Sequence, residues 1–224
     1  MNNTLKALIR ISLGLFISVG GYSSNAHSTL IDDPANPIRI FAIIHDDVPQ
    51  SKRNRLHAEY LQPFITEFEN ITGRRVHVIM DQDRHPYTNF SYKNEYPSQA
   101  LDQWAKLAWE YEKERYNNNE FPVSSNNRFV LITNDFINGG PVFGGTGGYA
   151  YIPGGFAIAS LDFTQTVGHE LGHTFNAVHE EGEVHYNGWW CETFMFPSLP
   201  LRSNCLVFSE ANRKRIKDYV DSRY

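Results

Sequence analysis

The chain has 224 residues, enough for one domain with a full core, and its 41% hydrophobic and 20% charged content belongs to a folded protein rather than a disordered one. A net charge of −5, with no basic stripe, argues against nucleic-acid binding. Aromatic residues make up 14%, so large rings are expected to dominate the core and to line a cleft.

The N-terminus has the pattern of an export signal. Lys6 and Arg10 form a short basic region, residues 11–22 are apolar, and Ser24 and Ala26 supply small residues at a cleavage site. This predicts a signal peptide over residues 1–26 and a secreted or periplasmic protein with no stable membrane insertion after cleavage. The apolar stretch is short for a transmembrane helix; an uncleaved anchor is the alternative. Removal of Lys6 and Arg10 takes the charge from −5 to about −7. Residues 27–37 read as a short polar leader, too short for a folded prodomain, and residues 38–224 as the functional domain.

Residues 38–44 (IRIFAII) read as a buried strand. Residues 53–71 carry Leu56, Tyr60, Leu61, Phe64, Phe68 and Ile71 at helical spacing, and Thr72-Gly73 ends that helix. Residues 75–80 alternate as a second strand. Residues 98–116 place Leu101, Trp104, Leu107, Ala108 and Tyr111 on one helical face, and residues 128–133 form a third strand. A glycine-rich run over residues 138–155 lacks the GKS or GKT of a phosphate loop. Within it Tyr149-Ala150-Tyr151 suits a short strand between glycine turns. Residues 156–160 form a fifth strand. Asp162 with Gln165 resembles a capping pair opening the next helix. After an irregular loop, Ser209 caps a last helix that buries Ile216, Tyr219 and Val220 and turns Arg213, Lys214, Arg215 and Lys217 to solvent. The order β-α-β-α-β-β-β-α-α predicts an α/β (α+β) fold with a mixed five-stranded sheet.

The two cysteines, Cys191 and Cys205, are most simply a disulfide in an exported protein, with two buried thiols as the alternative.

The stretch HELGHTFNAVHE, residues 169–180, carries the chemistry. His169 and His173 are four apart, so a helix points both imidazoles from one face, a pairing that suits zinc. Glu170 lies beside them, placed to take a proton from a water at the metal. A third protein ligand would leave one position open, as a catalytic site needs. His179 is the candidate, with His185 as a rival. Six residues past His173 is roughly 240° around a helix axis, so the helix must stop before His179 can return. Asn176 is suited to the left-handed turn that stops it.

His169-Glu170-x-x-His173-x-x-Asn176-x-x-His179 resembles the HExxHxxGxxH signature of the metzincin zinc endopeptidases, with Asn in place of Gly. The resemblance implies a methionine turn beneath the metal, at Met195, in a C-terminal subdomain behind the active-site helix; an ordinary core role for Met195 is the alternative. The Phe208-Ser209-Glu210 lead-in to the last helix is similar to the reprolysin-like (adamalysin) branch. That branch has aspartate where this chain has Glu180, which is either a hydrogen-bond acceptor behind a ligand or simply exposed. Some metzincins place a zinc-reaching tyrosine two residues after the methionine; Pro197 stands here. The resemblance further implies that Tyr149, Ala150 and Tyr151 form an edge strand pairing with an extended substrate. Phe196, Pro197, Ser198 and Leu199 would wall the pocket beyond the scissile bond. Trp189 and Trp190 either add to that wall or belong to the core.

The function expected is zinc-dependent hydrolysis of peptide bonds in a protein or peptide substrate, by a monomer holding one catalytic zinc, with a zinc-bound water activated by Glu170. A catalytically silent binding module and a zinc hydrolase of a non-peptide substrate are the alternatives.

Overall fold

The structure, a computed structural model, describes residues 30–33, 36–140, 144–186, 188–196 and 202–223. The signal peptide expected over residues 1–26 lies outside the described residues. In chain order the elements are β1 (Ile38–Ile44), α1 (Gln50–Arg53), a π-helical turn (His57–Leu61), α2 (Gln62–Thr72), β2 (Val76–Asp81), α3 (Pro97–Asn117) and β3 (Asn127–Thr133). A hairpin of β4 (Asn138–Gly140) and β5 (Gly144–Thr146) leads to β6 (Gly148–Ala150), β7 (Phe156–Ser160) and α4 (Thr166–Thr174). A 3-10 turn (His179–Glu181) follows, then β8 (Val184–Tyr186), β9 (Trp190–Glu192), β10 (Ser203–Asn204) and α5 (Glu210–Asp221).

The central sheet is mixed and five-stranded, in the order β2-β1-β3-β7-β6. The first four strands are parallel and β6 runs antiparallel at the edge. Parallel strands covered on both faces read as unbroken apolar runs, which is why β1 and β3 stand out in the sequence. Alternate residues part to the two faces. Ile38, Ile40, Ala42 and Ile44 join Val130, Ile132, Ala157 and Ala159 in one core with α2, α4 and α5. Phe41, Ile43, Phe129, Leu131 and Ile158 join Trp104 and Tyr111 of α3 in the other.

Several expectations needed correction. The helix expected over residues 53–71 is interrupted: α1 is short, and a π-helical turn precedes α2. Pro63, in the first turn of α2, has no N–H to return to the preceding turn, and the chain widens there. Asp162 does not cap α4. A turn intervenes, Gln165 is the capping residue, and it makes no side-chain capping bond. The irregular loop before α5 contains the three-stranded sheet β10-β9-β8, joined by the Cys191–Cys205 disulfide. The leader touches the domain: Ile31 donates its N–H to the Gly73 carbonyl at 2.7 Å and accepts from Arg75 N at 2.9 Å.

The basic residues of α5 are only partly solvated. Lys214 and Lys217 make ion pairs with Asp218 and Asp221 along the helix. Arg213 instead grips the buried carboxylate of Glu67 on α2 at 2.9 and 3.0 Å. Arg215 reaches the turn after α4. Ser209 does cap α5, its hydroxyl accepting from Asn212 N at 3.3 Å.

Candidate metal centre

Helix α4 carries His169 and His173 on the face turned toward the end of β6. Two glycines let it settle on its floor. A Cβ at Gly168 would lie 2.4 Å from the Phe194 ring, and one at Gly172 would lie 2.7 Å from Phe208 and 3.0 Å from Met195 Sδ. Met195 is fully buried in the turn beneath the helix. That turn orients the first ligand, because His169 Nδ1 donates to the Phe194 carbonyl at 2.6 Å. His173 Nδ1 donates to the Ala177 carbonyl at 2.9 Å. With Nδ1 protonated on both rings, each Nε2 presents a bare lone pair.

The helix ends as Asn176 requires. Asn176 has φ 75°, in the left-handed region. Asn176 N–H returns to the His173 carbonyl and Ala177 N–H to the Gly172 carbonyl, both at 3.0 Å, the paired bonds of a Schellman ending. The turn brings His179 back, with its Nε2 at 2.8 Å from that of His169 and 3.0 Å from that of His173. A single proton on His179 cannot serve two acceptors at once; one cation can serve all three nitrogens. Burial pushes His169 down to about 3 and His173 to about 4, so both are neutral at physiological pH, as ligands must be. Three imidazoles converging on one point would suit zinc as a donor set and would leave it a further position for water. His185 is elsewhere, paired with Glu183 at 2.9 Å. Glu180 is exposed.

The position of His179 depends on α5. Asn212, fully buried, accepts from Val178 N at 2.8 Å and donates to Val178 O at 3.0 Å. Arg215 donates to the Asn176 backbone carbonyl at 2.9 Å and to its side-chain oxygen at 3.1 Å. Ser209 hydroxyl donates to the Glu181 carbonyl at 2.5 Å. The residues on either side of His179 are thus tied to one helix. None of this was visible in the sequence, because polar residues on α5 look like a solvent face.

Glu170 is buried, with Oε1 4.0 Å from His169 Nε2. Desolvation raises its carboxyl well above the usual range; a cation beside it would pull it back down. It lies flat against β6: a Cβ at Gly148 would fall 2.4 Å from Oε1. Gly148 is a site residue that the sequence reading missed, although it sits in the glycine-rich run over residues 138–155.

A cleft of about 300 Å³ opens over Glu170, His169 and His179, with Phe136, Phe163 and Phe196 among its walls. Gln165 also lines it, its Oε1 buried without a partner. Phe196 is therefore at the site, while Pro197, Ser198 and Leu199 lie outside the described residues. Tyr149 and Ala150 belong to β6 and Tyr151 directly follows it. Trp189 and Trp190 are exposed on the β8–β9 hairpin, outside the core and not among the described residues that line this cleft.

No protein-family model matches the chain, and no curated protein matches it either. Solved structures do resemble it. Metalloproteinase-II from Bacteroides fragilis aligns with a TM-score of 0.50 at 13% identity, over 85% of this chain and 56% of that one. A zinc-dependent peptidase from Methanocorpusculum labreanum aligns at 0.44 and 17% identity, over 79% of this chain and 99% of that one. The archaemetzincin of Methanopyrus kandleri aligns at 0.46 and 15% identity, over 84% and 98%. At these identities the likeness to the Bacteroides metalloproteinase concerns the fold alone.

Proposed function

We propose that the protein is a metzincin-like zinc endopeptidase. The observation that carries this is the convergence of His179 Nε2 on those of His169 and His173, at 2.8 and 3.0 Å, with Glu170 buried beside them at the floor of an open cleft. These three histidines would hold the ion; when bound, zinc supplies a Lewis acid that polarises a carbonyl and acidifies water. Glu170 then accepts the proton of the attacking water and delivers it to the leaving amine nitrogen. Its burial beside Gly148 fixes the carboxylate, so little reorganisation is needed at the moment of transfer. The open edge of β6 offers backbone groups to an extended peptide. The phenylalanine walls exclude water and favour apolar side chains.

We further propose that the protein is exported and works as a monomer on extracellular or periplasmic peptides. The signal-like residues 1–26 and the Cys191–Cys205 disulfide support export. No helix among the described residues is long and apolar enough to cross a membrane.

The test is cleavage of a complex peptide mixture read by mass spectrometry, comparing wild type with Glu170→Ala at matched zinc content. Cuts made only by the wild type are the expected result. A folded, zinc-loaded wild type that cuts no peptide would sink the proposal and favour a silent binding module. Hydrolysis of small esters alone would favour a non-peptide substrate.

A further inference from the structure

On the opposite face of the sheet from Glu170, a second cavity of about 470 Å³ lies between α3 and the end of β6. Asp102, Ala105, Lys106 and Trp109 line it, spaced as one face of a helix, with Tyr151 and Phe156 opposite. Tyr151 hydroxyl donates to Asp102 at 2.5 Å, which holds that ring in the wall. The indole of Trp109 is 44% exposed, so a large aromatic surface stands open to solvent.

The register of β6 connects this cavity to the metal cleft. Gly148 pairs with Ala159 and Ala150 with Ala157, on the face that holds α4 and Glu170. Tyr149 pairs with Ile158, and Tyr151 N bonds to Phe156 O at 3.3 Å, so both tyrosines belong to the α3 face. Gly147 O and Tyr151 N point inward to β7, which turns the backbone groups of Gly148 and Ala150 to the open edge. A peptide added antiparallel at that edge alternates its side chains between the same two faces. The residue opposite Tyr151 therefore points toward α3. It stands three positions from the residue opposite Gly148, or about 10 Å at strand spacing.

We propose that this cavity is a specificity subsite for an aromatic or large aliphatic side chain, three to four residues N-terminal to the scissile bond. The inference rests on the endopeptidase reading and adds a substrate preference to it. The preference comes from the sheet face that Glu170 does not occupy. A substrate must then span both faces of β6, so short peptides that end before Tyr151 are cleaved poorly.

The test uses peptides built on one sequence that the wild type cuts, differing only three and four residues before the cut, with Gly, Leu or Phe there. The wild type should favour Leu or Phe over Gly by about tenfold in kcat/KM. Trp109→Ala should reduce that ratio to within about twofold, and Trp109→Phe should restore most of it. Equal cleavage of all three peptides, or dependence only on residues after the cut, overturns the subsite while leaving the endopeptidase reading intact. No cleavage of any peptide by the zinc-loaded wild type overturns both.

Discussion

Asn212 holds Val178 by both of its backbone groups, and Val178 is the residue before the third ligand. The amide is fully buried, so no solvent competes for either bond. A helix at the C-terminal end of the domain thereby sets where His179 meets the metal. The first two ligands need no such help, because α4 spaces them.

Asn212→Ala should therefore weaken zinc binding by about 10- to 100-fold, the usual effect of losing a group that orients a ligand. Leaving two backbone groups unpaired should also cost about 1–3 kcal/mol of stability. Chelator competition on folded protein reads the first, and urea unfolding the second. Lost stability with unchanged zinc affinity would show that the clamp supports the fold but not the site.

Gly148→Ala should act on the other half of the machinery. The new methyl carbon would lie 2.4 Å from Glu170 Oε1 and 2.6 Å from its Cδ and Cγ, so the carboxylate must move. The three histidines are on other elements and should keep their zinc. Peptide cleavage should fall by about 100-fold, near the lower end of what a general base contributes. Parallel measurement of bound zinc and kcat/KM decides it. Zinc lost together with activity would mean that Gly148 supports the metal rather than the base.

The Cys191–Cys205 bridge closes a loop with a sequence separation of 14 and joins β9 to β10, whose pairing is only two residues long. Entropy of that loop amounts to about 3 kcal/mol. Replacing both cysteines by serine should lower Tm by about 6–12 °C for a domain of this size. Scanning calorimetry of the double variant checks this. An unchanged Tm would mean that the strands hold without the bridge.

Legibility in the sequence followed the strength of the local signal. The sheet strands and the long helices were readable because burial on two faces, or on one helical stripe, leaves a pattern several residues long. Asn176 was readable because few residues other than glycine accept φ 75°. Strands β8 to β10 were not, since two or three residues cannot show alternation. The clamp by Asn212 and Arg215 was hidden for a different reason. Its partners are mostly backbone atoms about 35–40 residues away, and a backbone carbonyl leaves no mark in the sequence. Gly148 fell between these cases: the glycine run stood out in the sequence, but only the fold shows that Glu170 packs against it.

Acid should destabilise the metal-free protein through its ligands. His169 and His173 titrate at about 3 and about 4 in the fold, against about 6.5 when unfolded. Between those values the unfolded chain binds more protons, so stability rises with pH and is lost as pH falls below about 6.5. Each histidine contributes up to about 1.4 kcal/mol per pH unit across its window. Glu170 works in the opposite sense above about pH 4.5, because its raised carboxyl binds a proton more readily in the fold than out of it. The two histidines outweigh the one glutamate, so the net slope from pH 6.5 to 4.5 remains positive. Urea unfolding of chelator-treated protein at pH 6.5, 5.5 and 5 should show this decline, and a His169→Gln, His173→Gln double variant should lose it, leaving only the opposite slope of Glu170. A wild-type profile that stays level to pH 5 would mean that these imidazoles become protonated inside the fold, at odds with a site built to present bare nitrogens to a cation.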